Sequence, residues 1–336
     1  MRMKSFLSKS KHINTYMQQN QFSGTILVAK DGKFIFKNVY GMADNEQKIE
    51  NKLETKFRIG SITKQFTSMA IMMLQEKKLL NVHDPISKYI PDYPHGDKIT
   101  IHHLLTHSSG IYNYTSLEGF TDTVTEFIAL DDLIKLFKDK PLEFEIGTKF
   151  SYCNSGYVLL TFIIERVSGL SYEAFLKQNI FEPLGMSNTG YYRNENPPTN
   201  DSSGHTLDKT GKIIKTENWH MSQSAGAGAL YSTAQDLFIW DQALYTEKLV
   251  SKKSLNQIFG KHYCADDRHI SYGWFIKENF EKTCIYHGGV LRGFIALISR
   301  YIDDNACVIT LSNLDVSCIE KINKNLAAII FDKPID

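Results

Sequence analysis

The sequence predicts an α+β fold: an antiparallel sheet built from both ends of the chain, flanked by helices, with a mostly helical segment inserted between them. Two observations carry this. Short β-branched and aromatic runs punctuated by turn residues occupy the beginning and the last third of the chain. The long middle carries apolar residues at helical spacing instead. Near the start, Thr25–Ala29 and Phe34–Phe36 flank Asp31-Gly32, a two-residue hairpin signal, and a helix precedes them. At the far end, Tyr272–Ile276, Thr283–Tyr286, Phe294–Arg300 and Cys307–Leu311 read as strands, followed by a helix over Val316–Ile330. Between them, helices are expected after Ser61 and over Ile101–Leu105, Leu130–Phe137, Ser155–Val167, Tyr172–Ile180 and Thr233–Leu244. Gly169 supplies a stop signal, and Ser232-Thr233 ahead of Asp236 a start signal. The expected division is a discontinuous sheet domain, 1–58 with 265–336, and a helical domain, 59–264. A site belongs in the cleft between them.

Composition narrows the function. The chain has 336 residues, enough for a sizeable core, with 42% hydrophobic and 22% charged residues. Thirty-eight basic residues balance 37 acidic ones, for a net charge of +1, so nothing favours nucleic acid or a membrane surface. The longest apolar runs, such as Tyr157–Ile164, are far too short to span a bilayer. The basic N-terminus has no apolar core like that of a signal peptide, which places the chain in the cytoplasm if it is full length, or among exported proteins already stripped of a signal. Five scattered cysteines without CxxC spacing argue against a disulfide framework or a thiolate zinc site.

The stretch RIGSITKQFTSMAIMML, residues 58–74, sets the chemical question. At about 100° per residue, Ile62, Phe66, Met69, Ala70 and Met73 share one face, and Ile71, Met72 and Leu74 widen it until the helix is apolar nearly all round. Ser61, Lys64, Ser68 and Gln75 form one narrow polar stripe. Three residues apart, Ser61 and Lys64 are neighbours. A serine nucleophile with an amine base fits: burial and the positive helix end both favour the neutral amine, and the Ser61 N–H is a natural oxyanion donor. A capping serine with a snorkelling lysine fits the same pattern. Ser8 and Lys11 repeat the spacing, but in a charged, non-amphipathic tail.

Two further stretches bear on the choice. Tyr152 and Asn154 stand two apart before the apolar helix from Tyr157, where a phenol relays protons and an amide holds both a lysine and a substrate carbonyl. A buried tyrosine beside a helix-capping asparagine is the plain alternative. Tyr286-His287-Gly288-Gly289-Val290 ends a predicted strand, where paired glycines let backbone approach a ligand and His287 donates a hydrogen bond or a charge. A hairpin turn containing a histidine is its plain alternative.

In order and spacing, Ser61-Ile62-Thr63-Lys64, Tyr152-Cys153-Asn154 and His287-Gly288-Gly289 resemble the three motifs of the class C β-lactamase-like, penicillin-binding-protein-like serine hydrolases. That family also includes DD-peptidases, D-amino-acid peptidases and esterases. Asn81–Pro91, Ile99–Gly110 (ITIHHLLTHSSG), Phe181–Met186 and Gly228–Thr233 are similar too, so the resemblance covers about residues 20 to 315. It implies the β-lactamase/DD-peptidase-like fold and an acyl-enzyme mechanism without a cofactor or metal. Position by position, it implies Ser61 as nucleophile, Lys64 as the residue assisting its deprotonation and Tyr152 in proton transfer. Asn154 then orients the lysine and the substrate amide, and the Val290 N–H is the second oxyanion donor. Lys64 and Tyr152 both stay open as the base, because groups so close titrate as a pair.

The third motif departs from the pattern. β-Lactamases carry Lys-Thr-Gly or Lys-Ser-Gly there to hold a substrate carboxylate. Here His287 replaces the lysine and Gly288 has no hydroxyl. A histidine is only partly charged near neutrality, so anion binding is expected to be weak and pH-dependent. Arg292 is the candidate to supply the missing charge, against an ordinary exposed loop arginine. The departure argues against an efficient β-lactamase and leaves peptidase, esterase and amidase activities.

Other signals are weaker. His103 and His107 are spaced like helical metal ligands, but Leu104 stands where zinc peptidases carry glutamate. Gly226-Ala227-Gly228 lacks the features of a dinucleotide site, and no G-x-S-x-G elbow occurs. The expectation is a serine hydrolase acting on D-amino-acid peptides or small esters and amides. The rival is a non-catalytic or single-turnover penicillin sensor of the same fold. Partners are a small-molecule or peptide substrate, with the oligomeric state open.

Overall fold

The computed structural model describes residues 2–20 and 22–335. Its main sheet has eight antiparallel strands. Their spatial order is Tyr263–Ala265, Arg268–Ser271, Trp274–Asn279, Lys282–Leu291, Phe294–Tyr301, Ala306–Ser312, Gly24–Lys30 and Lys33–Tyr40. The two ends of the chain meet where Gly24–Lys30 pairs with Ala306–Ser312, Leu27 opposite Ile309. The hairpin at Asp31-Gly32 forms as expected, with φ of 54° and 66° at the two turn residues, the positive pair that a type I′ turn needs.

Alternation along the central strands sorts side chains onto two faces. Ile26, Val28 and Val308 pack with Ile13, Leu326 and Ile330 from the terminal helices Arg2–Gln18 and Ile319–Ile330. Leu27, Ala29, Ile309 and Leu311 face the opposite way, into the large core that the middle of the chain builds around Phe66, Met69 and Trp240. A buried ion pair ties the layers: Arg300 Nε, on the sheet, lies 2.5 Å from Asp241 Oδ1 on the helix Ala234–Ala243.

The expected helices are present, with Thr63–Glu76 and Asn154–Ser168 packed side by side. Every residue of the first from Thr63 to Leu74 is buried, as its all-round apolar pattern requires. Gly169 ends the second in the left-handed region at φ 71°, and Thr233 caps its own helix by accepting from the Asp236 N–H. Unforeseen were the strands Tyr263–Ala265 and Arg268–Ser271, the helix Lys252–Ile258 and the π-helical turn Lys177–Phe181. Among the described residues, no helix is long and apolar enough to cross a membrane.

Candidate active site

Ser61 lies in a single 3-10 turn, Gly60–Ile62, that feeds into the helix Thr63–Glu76. It is not a capping serine, because Ile62 occupies the cap position and no side chain caps that helix. Two glycines set the turn's position. Gly60 has φ 50°, and a Cβ on it would sit 2.9 Å from the Val290 N. A Cβ on Gly289 would fall 1.9 Å from the Ile59 carbonyl oxygen and 3.0 Å from the Ser61 N. Only glycine lets strand Lys282–Leu291 come this close to the turn.

Lys64 follows one turn later, fully buried. Its Nζ lies 3.0 Å from Ser61 Oγ, 2.9 Å from Asn154 Oδ1 and 2.7 Å from the Ala227 carbonyl oxygen. Burial holds the amine well below the usual lysine range. A neutral amine has two N–H bonds and one lone pair. With both N–H bonds taken by the two carbonyl oxygens, the neutral amine has its lone pair left for the Ser61 hydroxyl, whereas the charged amine donates a third N–H to it. The snorkelling alternative fails because the side chain runs inward, away from water.

Asn154 is fixed in turn. Its backbone N–H donates to Asn113 Oδ1 at 3.0 Å, and its Nδ2 to Thr115 Oγ1 at 3.3 Å. The Ala227 carbonyl is held by the 3-10 turn Ala225–Ala227, pinned where the Gly226 N–H donates to Thr161 Oγ1 at 2.8 Å. A Cβ on Gly226 would lie 2.3 Å from that same oxygen. The sequence rules Gly226-Ala227-Gly228 out as a dinucleotide site but gives no sign of the carbonyl it presents. A backbone acceptor leaves no residue-type signal.

The Tyr152 ring lies 4.9 Å from Lys64 Nζ and stacks on His107, with centroids 4.5 Å apart. Its hydroxyl is buried with no hydrogen bond formed. Burial pushes the phenol up, and the nearby Ser61 hydroxyl only partly offsets this. His107 sits outside the helix Ile101–Leu105, at φ 56°, and its Nδ1 accepts from the Cys153 N–H at 3.1 Å. Its helical metal-ligand spacing with His103 therefore does not exist in space. Among the described residues, no three His, Cys, Asp or Glu side chains converge as metal ligands.

His287 departs from its expected role. It stands inside the strand Lys282–Leu291, not at a strand end, and it is buried against Phe275 with ring centroids 4.8 Å apart. Its Nδ1 donates to the Gly288 carbonyl at 2.6 Å, and its Nε2 has no partner. Burial first, and Lys64 second, push it down to about 3. It is a neutral ring near neutrality, so the charge expected of it is absent. Gly288 offers only backbone. Arg292 is drawn away as well: its Nη1 donates to Glu217 Oε2 and its Nη2 to the Thr121 carbonyl, each at 2.9 Å. The Val290 side chain is 67% exposed at the mouth.

Ser61 opens into a cavity of about 70 Å³, bordered by Tyr114, Thr115, Asn154, Trp219, Val290 and Leu291, with no charged side chain on its wall. Larger clefts exist, one of about 770 Å³ beside Tyr286 and Lys324, but that cleft has no hydroxyl set beside a buried amine. The arrangement at Ser61 suits attack on a small, neutral acyl group.

A family model described as Beta-lactamase matches residues 10–328. The chain is 32% identical, over 98% of its length and 78% of the relative's, to penicillin-binding protein 4* of Bacillus subtilis (strain 168). It is 28% identical to the teichoic acid D-alanine hydrolase of Staphylococcus aureus (strain MRSA252), over 91% of this chain and 74% of that one. A solved penicillin-binding protein from Bacillus halodurans superposes with a TM-score of 0.86 at 28% identity, covering 96% of this chain and 98% of the other. With a family match along almost its whole length and a shared fold, the chain belongs to the Beta-lactamase family of serine hydrolases.

Proposed function

We propose that the chain hydrolyses small D-aminoacyl esters, amides or peptides through an acyl-enzyme on Ser61. The observation that carries this is the set of contacts at Lys64: its buried Nζ meets two carbonyl oxygens and the Ser61 hydroxyl, so a neutral amine has its lone pair left for Ser61. Lys64 is the base in this account, because burial lowers its affinity for a proton while the same burial raises that of Tyr152. A base must be found unprotonated, and the phenol is not.

Lys64 takes the Ser61 proton as Oγ attacks the carbonyl carbon. The oxyanion forms between the Ser61 and Val290 backbone N–H groups, which lie on the turn and the strand that Gly60 and Gly289 let approach closely. The proton on Lys64 then passes to the departing alkoxide or amine, directly or through Tyr152, and an ester on Ser61 remains. Water attacks that ester, giving its proton to the same base, and Ser61 leaves with a proton restored.

The small uncharged cavity supports a compact acyl group such as D-alanyl. A relative bearing the name teichoic acid D-alanine hydrolase supports the same substrate class. The test is the steady-state release of alcohol from a D-alanyl ester, followed for many equivalents of enzyme. Sustained release that is lost in Ser61→Ala supports the proposal. A single equivalent released and then none would instead identify a single-turnover acylating sensor.

A further inference from the structure

Arg292 directly follows Val290 and Leu291, which border the Ser61 cavity. The two loops that complete the mouth of that cavity, within residues 99–134 and 216–247, contain no lysine or arginine. The cavity wall itself is uncharged. Arg58, the other guanidinium near this edge, is buried against the Tyr192 hydroxyl at 2.7 Å, with Asp201 at 3.9 Å. Arg292 is thus the cation poised to meet a substrate carboxylate, and it is occupied.

Its partners belong to the mouth. Glu217, 76% exposed, stands two residues before Trp219, and Thr121 follows Phe120. The Phe120 ring packs edge-on against both Tyr114, at 5.2 Å, and Trp219, at 5.7 Å. Tyr114 and Trp219 both border the cavity. The guanidinium therefore bridges the two loops that frame the entrance, and its carboxylate partner comes from the protein. Guanidinium binds carboxylate through paired N–H donors, so a carboxylate held within the same chain competes with any that a substrate brings.

We propose that Glu217 is a specificity-determining residue: it withholds Arg292 from substrate carboxylates, so the site favours acyl donors whose leaving group carries no free carboxylate. The inference rests on the acyl-enzyme at Ser61 and adds to it a choice among substrates. The Thr121 carbonyl keeps Arg292 at the entrance when Glu217 is removed, so the masked guanidinium becomes a binding group.

The test uses N-acetyl-D-alanyl-D-lactate and its methyl ester, which share the cleaved ester and differ in one free carboxylate. The readout is the ratio of kcat/KM for the acid to that for the methyl ester, with Ser61 acylation followed by intact mass. Glu217→Gln is expected to raise this ratio about tenfold, the size of one charge-assisted hydrogen bond in a partly exposed place. The double variant Glu217→Gln with Arg292→Gln is expected to return it to the wild-type value. An unchanged ratio in Glu217→Gln, while the methyl ester is still turned over, overturns the proposal and leaves the acyl-enzyme account standing. A raised ratio that survives loss of Arg292 overturns it too. If neither substrate acylates Ser61 in any variant, the acyl-enzyme account fails and the proposal falls with it.

Discussion

Gly289 and Ile59 touch so closely that a single added carbon on Gly289 would lie 1.9 Å from the Ile59 carbonyl oxygen. This contact presses the strand carrying Val290 onto the turn carrying Ser61, and so sets the spacing between the two N–H groups proposed to hold the oxyanion. Gly289→Ala must push strand and turn apart. The expected result is a fall in kcat/KM of about 100-fold, the usual scale for misplacing reacting groups by about 1 Å. Near-normal turnover by a folded Gly289→Ala protein would dissociate this contact from catalysis.

Lys64 carries the proton in this account, and its amine must be neutral to do so. Burial depresses its folded pKa, so activity is present above that pKa and lost as pH falls through it. His287, pushed down to about 3 by burial and by Lys64, is neutral near neutrality. The kcat/KM profile is therefore expected to show one acidic limb that persists in His287→Gln. Lys64→Ala should cost about 10²- to 10⁴-fold in acylation at pH values above that limb, with the difference narrowing as pH falls through it. Rates of ester cleavage by the two variants across the accessible pH range check both statements.

Acid should loosen the fold as well. His102 is held down to about 4, first by burial and then by the neighbouring rings of His262, His103 and His83, whose centroids lie 5.3, 5.9 and 5.6 Å away. An unfolded histidine binds its proton near pH 6.5, so the unfolded state takes up protons that the folded state refuses. Stability is full above about pH 6.5 and declines as pH falls toward 4. His102→Gln, which keeps a hydrogen-bonding group near the Tyr272 hydroxyl, is expected to remove about 1 kcal/mol of that decline at pH 5, after allowance for solvent screening. Thermal unfolding of both proteins at pH 5 and 7.5 measures it.

Arg300 and Asp241 are each 1% exposed, and nothing else of opposite charge pairs with Arg300 among the described residues. Asp241→Ala strands a buried guanidinium and is expected to cost about 3–5 kcal/mol in urea unfolding. Replacing both by apolar residues of similar volume should restore much of that loss.

The parts of the fold legible in the sequence are those buried on both faces of the sheet or all round a helix. Gly24–Lys30, Phe294–Tyr301 and Ala306–Ser312 carry the β-branched pattern of central strands, and Thr63–Glu76 the all-round apolar pattern of a core helix. Tyr263–Ala265 at the sheet edge and Arg268–Ser271 beside it are short strands stabilised by pairing with neighbours, and composition is silent about them. Ser61, Lys64, Tyr152 and Asn154 stand out in the sequence because the chemistry proposed for them resides in side chains, and the structure brings them close together. The Ala227 carbonyl, Asn113 and Thr115 support them from loops whose positions depend on tertiary packing. The surroundings of His287 and Arg292 are hidden from the sequence for a related reason. Residue type suggested charge, but burial removes it from the first, and Glu217, distant in sequence, occupies the second.

The most direct test of the central claim is intact-protein mass after brief exposure to an activated D-alanyl ester, with Ser61→Ala alongside. The account predicts one D-alanyl group added to the wild-type protein, its loss matched by appearance of free D-alanine, and no addition to Ser61→Ala. The same adduct on Ser61→Ala, or continued hydrolysis by that variant, would contradict it.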